Sequence, residues 1–169
     1  ENLMMNRRRL FTLLGGIALT PWLLARVSAK DVSTEKTAGK IVRSEAQWRE
    51  LLTPGQYEIL REEGTEPAGS SPLLYEKRSG TYTCAGCGNP LFESSMKYDS
   101  GTGWPSFFTV IDGAVGTRRD FKLFRPRTEY HCARCGGHHG HVFNDGPKPT
   151  GLRYCNNGLA LAFVPDDNQ

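Results

Sequence analysis

Cys84-Ala85-Gly86-Cys87 and Cys132-Ala133-Arg134-Cys135 decide how this chain is read. Each is a CxxC turn followed by glycine (Gly88, Gly136), which lets the backbone curl so that its amides face the sulfurs. One such turn presents two thiolates to one ion, and a tetrahedral zinc takes four. Two turns with 44 residues between them therefore read as a single structural zinc site, Cys84, Cys87, Cys132 and Cys135, that pins a long loop closed. Two disulfides or a rubredoxin-like iron centre would use the same residues. Cysteines two residues apart rarely form a structural bridge, and an iron centre leaves the fifth cysteine, Cys155, without a role. With all four positions taken by cysteine, the metal is expected to be structural and not catalytic.

Outward from the knuckles the pattern is one of short strands and turns. The chain of 169 residues holds 19 Gly and 10 Pro, which favours turns over long helices. Thr81-Tyr82-Thr83 leads into the first knuckle, and residues 107–111 read as a strand closed by the tight turn Asp112-Gly113. Residues 121–124, 128–131, 153–157 and 159–164 complete the strand candidates. Before them, Trp48, Leu51 and Leu52 suit a short helix. Thr53-Pro54 opens a second, Thr as N-cap and Pro at the first helical position, which Gly64 closes. Residues 66–71 read as loop. The expected fold is mainly β (α+β): two small antiparallel sheets in a barrel-like or tent-like core, short helices in front, and a zinc staple.

The N-terminal part reads differently. Glu1-Asn2-Leu3, ahead of Met4-Met5, looks like an added tag and carries no fold information. Arg7-Arg8-Arg9, an apolar run over 10–24 and the small residues Val27-Ser28-Ala29 make a secretory signal. Arg8-Arg9-Leu10-Phe11 is similar to the twin-arginine pattern of bacterial export. Gly15, Gly16 and Pro21 interrupt a run already short for a membrane span of ~20 residues. Residues 1–29 are thus expected to be a tag plus a leader, 30–44 a polar linker and 45–169 the working domain, exported to a bacterial periplasm with no stable membrane association once the leader is gone. An uncleaved N-terminal anchor is the alternative. Setting aside Arg7, Arg8, Arg9, Arg26 and Glu1, the 21 Lys+Arg and 18 Asp+Glu become 17 of each. A neutral domain has no excess of cations to release counterions from phosphates, which argues against nucleic-acid binding.

Cys155 is the odd cysteine, and in an exported protein it needs a partner or a task. In Arg153-Tyr154-Cys155-Asn156-Asn157, a period of two puts Arg153, Cys155 and Asn157 on one strand face, a cation and an amide beside a thiol. That favours a nucleophile over a buried structural thiol. His138-His139-Gly140-His141 follows the second knuckle directly. A thiol enzyme that protonates a departing oxygen needs an acid titrating near neutrality, and His138 and His141 would face such a site while His139 points away. Extra metal ligands or solvated groups are the plainer reading; His131 is assigned to structure. Ser100-Gly101-Thr102-Gly103-Trp104-Pro105-Ser106-Phe107 is a glycine-flanked aromatic loop whose indole suits a methyl–sulfur group, and a core tryptophan in a tight turn fits it equally.

From Glu45 onward the chain resembles the B-type peptide-methionine (R)-S-oxide reductases. The resemblance runs, in order, through Leu52-Thr53-Pro54 with Gln56-Tyr57, Gly64-Thr65-Glu66, Tyr82-Thr83-Cys84-Ala85-Gly86-Cys87 and Lys97-Tyr98-Asp99-Ser100-Gly101. It continues through Gly103-Trp104-Pro105-Ser106-Phe107, Gly140-His141-Val142-Phe143 and Gly151-Leu152-Arg153-Tyr154-Cys155, with Asn157. It implies two antiparallel sheets with zinc remote from the active site. It also implies that Cys155 attacks the sulfoxide sulfur, that His141 with His138 protonates or orients the oxygen, and that Asn157 helps hold the oxygen or a water. Trp104 and Phe143 would receive the substrate side chain, and Arg153 would favour the thiolate. The implied partners are oxidised methionines of proteins or peptides and an external thiol such as a thioredoxin-like protein; a near-neutral domain of this size is itself expected to be a monomer. Many relatives carry a resolving cysteine in the Gly-Trp-Pro loop, where this chain has Thr102. A one-cysteine cycle follows as the expectation. The alternative to an enzyme is a zinc-ribbon-like module that binds proteins and merely buries Cys155.

Overall fold

The computed structural model describes residues 39–121 and 126–167. The leader, most of the linker and most of the 121–124 strand candidate lie outside these residues. Two helices open the described chain, α1 (Glu45–Leu51) and α2 (Pro54–Glu62). Both begin with a reciprocal capping box: Ser44 with Gln47, and Thr53 with Gln56 beside Pro54. Trp48 from the first and Tyr57, Ile59 and Leu60 from the second are buried. The second helix ends on Glu63, whose φ of 57° puts a non-glycine residue in the left-handed region. Gly64 lies one step beyond the cap and donates its N–H to the Glu58 carbonyl.

Nine strands follow: β1 (Gly80–Cys84), β2 (Pro90–Glu93), β3 (Lys97–Tyr98), β4 (Ser106–Phe107), β5 (Val115–Asp120), β6 (Arg127–Cys132), β7 (His138–Phe143), β8 (Arg153–Asn156) and β9 (Leu161–Pro165). They form two antiparallel sheets, β2-β1-β9 and β3-β4-β8-β7-β6-β5. The mainly β fold with two antiparallel sheets and short leading helices is therefore present, and neither sheet closes into a barrel. An aromatic core fills the space between them: Phe92 stacks on Phe107 at 4.0 Å, Tyr82 meets Phe107 edge-on at 5.0 Å, and Tyr130 meets Tyr154 at 5.3 Å.

Two strand expectations change length. Of residues 107–111 only Phe107 is in a strand, because the backbone N–H groups of Phe108 and Ile111 go to the Met96 and Leu91 carbonyls instead of a ladder. Residues 158–160 form a 3₁₀ turn before β9 begins. One glycine in the large sheet has no room for a side chain. Where β7 meets β8, a Cβ on Gly140 would lie 2.0 Å from the Cys155 carbonyl oxygen. That neighbour is backbone and cannot swing away, so Gly140→Ala is expected to destabilise the domain by ~3 kcal/mol. Thermal unfolding checks this; an unchanged midpoint would mean that the strand pair is looser than described.

Candidate active site and thiol cluster

Two separate groups of thiols emerge from this fold. The first knuckle closes the β1–β2 hairpin, with the Gly88 N–H donating to the Cys84 carbonyl at 2.8 Å and Gly88 at a φ of 70°. The second closes β6–β7 in the same way, Gly136 onto the Cys132 carbonyl at 2.9 Å with a φ of 71°. The sulfurs of Cys84, Cys87, Cys132 and Cys135 all lie within 4.8 Å of one another and could hold a metal ion. Asn89 Nδ2 approaches Cys132 Sγ at 3.6 Å, and Arg61 of α2 donates to the Cys135 carbonyl at 3.2 Å. The cluster joins a hairpin of each sheet to the second helix.

Cys155 lies in a different place, and strand register puts it there. Ser106, Cys155, His141, Glu129 and Arg118 are successive cross-strand partners on β4, β8, β7, β6 and β5. Residues paired in this way share one face of the sheet. The cleft over this face encloses about 130 Å³ and is lined by Thr65, Trp104, Arg127, Gly140, His141, Phe143, Cys155, Asn156 and Asn157.

Each wall is held in place by a named contact. The indole N–H of Trp104 donates to the Glu66 carbonyl at 3.1 Å. The buried Glu66 carboxylate in turn accepts the backbone N–H groups of Gly158 and Leu159, tying the Gly64-Thr65-Glu66 stretch to the turn after β8. On the other side Phe143 lies under the Arg153 guanidinium at 4.3 Å. Arg153 is bound bidentately by Asp145 at 2.8 and 2.7 Å.

Arg153, Asn157 and His138 each have partners that the sequence does not show. Arg153 does pull the Cys155 thiol toward ionisation, but burial is the larger effect and holds the thiol above its ordinary value. Asn157 lies one residue beyond the end of β8, so strand alternation does not fix its face. Asn157 borders the cleft, yet its Oδ1 accepts the Glu66 N–H at 3.0 Å and its Nδ2 donates to the His139 carbonyl at 3.0 Å. Its amide braces the Glu66 turn. His138 neighbours His141, ring to ring at 5.5 Å, but is buried against Glu129, Nδ1 to Oε1 at 2.8 Å. His139 does point away: it is fully buried beside Tyr130, and burial lowers it to about 4.

His141 is the histidine of the cleft. Its Nε2 lies 2.7 Å from the Asp120 carboxylate, and burial outweighs that carboxylate to hold the ring below its ordinary value. At neutral pH the resting pair is a protonated thiol beside a neutral imidazole. Alkylation of Cys155 by iodoacetamide should consequently be slow at pH 7 and still rising above pH ~9. Peptide mapping by mass spectrometry reads this directly, and a plateau below pH 8 would contradict it. Thr65, Glu66, Asp120, Arg127 and Asp145 were not singled out from the sequence as members of the site.

A family model described as the SelR domain matches residues 52–165. The chain belongs to that family. It is 52% identical over 136 residues to a peptide methionine sulfoxide reductase MsrB of Bradyrhizobium diazoefficiens, covering 80% of this chain and 98% of the relative. It is 51% identical over 130 residues to an MsrB of the archaeon Methanosarcina mazei, covering 76% and 93%. A mouse protein, methionine-R-sulfoxide reductase B3, mitochondrial, is 45% identical over 135 residues, 79% of this chain and 53% of its own length. The B-type resemblance read from the motifs is thus the family of the whole domain, and the SelR match contains all four clustered cysteines and every residue of the cleft.

Proposed function

We infer that this chain reduces the R epimer of methionine sulfoxide in proteins and peptides, with Cys155 as nucleophile. The observation that carries the reading is the cleft itself. A thiol and a histidine sit on adjacent strands of one sheet face, between an indole and a phenyl ring that suit a methyl–sulfur group. Attack on a sulfoxide sulfur is easy only when the oxygen leaves protonated, so thiolate and acid must reach neighbouring atoms. His141 supplies that acid. Trp104 and Phe143 hold the substrate side chain, Arg153 keeps Phe143 in position, and His138 and Asn157 support the site from behind. The products are methionine and a sulfenic acid on Cys155. With dithiothreitol as reductant, the separate epimers of a methionine-sulfoxide peptide test this: only the R epimer should disappear, and consumption of the S epimer alone would refute the assignment.

The four-thiol cluster suits zinc. A tetrahedron with ~2.3 Å arms has edges of about 3.8 Å, and the sulfur pairs Cys84–Cys135 and Cys87–Cys132 are each 3.6 Å apart. Bound there, zinc would be held by Cys84, Cys87, Cys132 and Cys135 and would supply a structural cross-link with no open position for substrate.

Thr102 occupies the place where many relatives carry a resolving cysteine. Its hydroxyl draws the Cys155 thiol toward ionisation and is joined to Ser100 at 2.8 Å. With the other four cysteines engaged in the cluster, an external thiol, such as that of a thioredoxin-like protein, reduces Cys155 directly. Stoichiometric substrate without reductant should leave Cys155 heavier by one oxygen in non-reducing mass spectrometry, whereas an intramolecular disulfide to Cys155 would end this reading. The basic, apolar leader favours export to the periplasm, which fractionation of cells expressing the full chain tests.

A further inference from the structure

We propose that Asp120 is a positioning residue that joins Cys155 and His141 into a three-member proton relay, with Arg127 setting its strength. The proposal rests on the reading that Cys155 and His141 are the reacting groups. Asp120 ends β5, two strands away from His141, and one of its oxygens meets His141 Nε2 at 2.7 Å and Arg127 Nη2 at 2.6 Å. The Asp120 and His141 side chains are only 9% and 12% exposed, so the contact is shielded from solvent. Among the described residues, the charged or titratable groups around His141 are Cys155 on β8, Asp120 on β5, Arg127 and Glu129 on β6, and His138 on β7.

An ionised Asp120 accepts the Nε2–H, which fixes the tautomer and leaves Nδ1 as the nitrogen that exchanges protons. In the step that follows, the Cys155 S–H proton passes to Nδ1 and the imidazolium is stabilised by Asp120. The thiolate attacks the sulfoxide sulfur, and the proton moves on to the sulfoxide oxygen. That oxygen ends on Cys155 as S–OH. A thiol and a sulfoxide become a sulfenic acid and a thioether, so Cys155 loses the two electrons that methionine gains and no other reactant is needed. Arg127 opposes the imidazolium and shares the carboxylate, so it restrains the relay that Asp120 promotes.

Opposite effects from the two ends of one ion pair separate this role from a merely structural one. His141 should be followed by NMR titration in the full chain, in Asp120→Asn and in Arg127→Gln. Asp120→Asn should move the His141 midpoint down and Arg127→Gln should move it up, each by about half a pH unit or more. The Asp120→Asn kcat should fall by ~10-fold or more with KM within about twofold. Shifts in the same direction, or none, overturn the relay. Should Asp120→Asn fail to fold, Arg127→Gln decides by itself: an upward shift supports the relay, and an unchanged or lower midpoint overturns it. Full turnover by Cys155→Ser would instead remove the underlying catalytic assignment, and the titrations do not depend on that result.

Discussion

Cys155→Ser is expected to lower kcat/KM for methionine-R-sulfoxide by at least ~10³-fold, a loss of about 4 kcal/mol of transition-state stabilisation. A serine hydroxyl ionises far above any pH the cleft sees and cannot become the sulfenic acid that carries the oxygen away. The fold should be untouched, because Cys155 is only partly buried and stands apart from the four-thiol cluster. Circular dichroism and metal content should therefore match the parent protein while turnover disappears. A variant that retains turnover would take the nucleophile's role away from Cys155, whereas a parent protein without turnover would bring the protein-binding module back as the better account of this chain.

The second large effect is on stability. Cys132→Ser, or removal of the metal by a chelator, is expected to cost ~5 kcal/mol or more and to lower the melting temperature by roughly 20 °C. The cluster is where β1–β2 of the small sheet, β6–β7 of the large sheet and α2 meet. Four thiolates packed within 4.8 Å repel one another unless a cation lies among them. Activity should decline together with stability, because β7 carries both His141 and the strand that pairs with Cys155. Differential scanning fluorimetry with parallel zinc analysis reads both. A Cys132→Ser protein melting within a few degrees of the parent would show that the cluster staples nothing.

How legible this was from the sequence depended on distance along the chain. The knuckles and the Thr53-Pro54 helix start are local patterns, and the structure places them as read. The cleft is not local. Arg118, Glu129, His141 and Cys155 become one row only through the pairing of four strands, and no spacing between them announces it. Asp120 and Arg127 carry no local signal, and only the pairing of β5, β6 and β7 brings Asp120 to His141 and Arg127 to Asp120. Asn157 misled for the opposite reason. Alternation was extended one residue past the end of β8, where the chain turns to meet Glu66. For Arg153 the sequence showed the cation but neither the depth of burial nor the Asp145 carboxylate that occupies it.

The narrow cleft behind Trp104 has a consequence for the choice of client. The cleft, about 130 Å³ between a tethered indole and a braced phenyl ring, is the size of a single side chain. An oxidised methionine still packed inside a folded protein cannot enter. Entry requires that the client open locally and present the residue, so its own free energy of local unfolding sets how readily it is repaired. Oxidation of a core methionine puts a polar oxygen among apolar neighbours and loosens that region. The damage that most disturbs a fold is thereby the damage most open to repair.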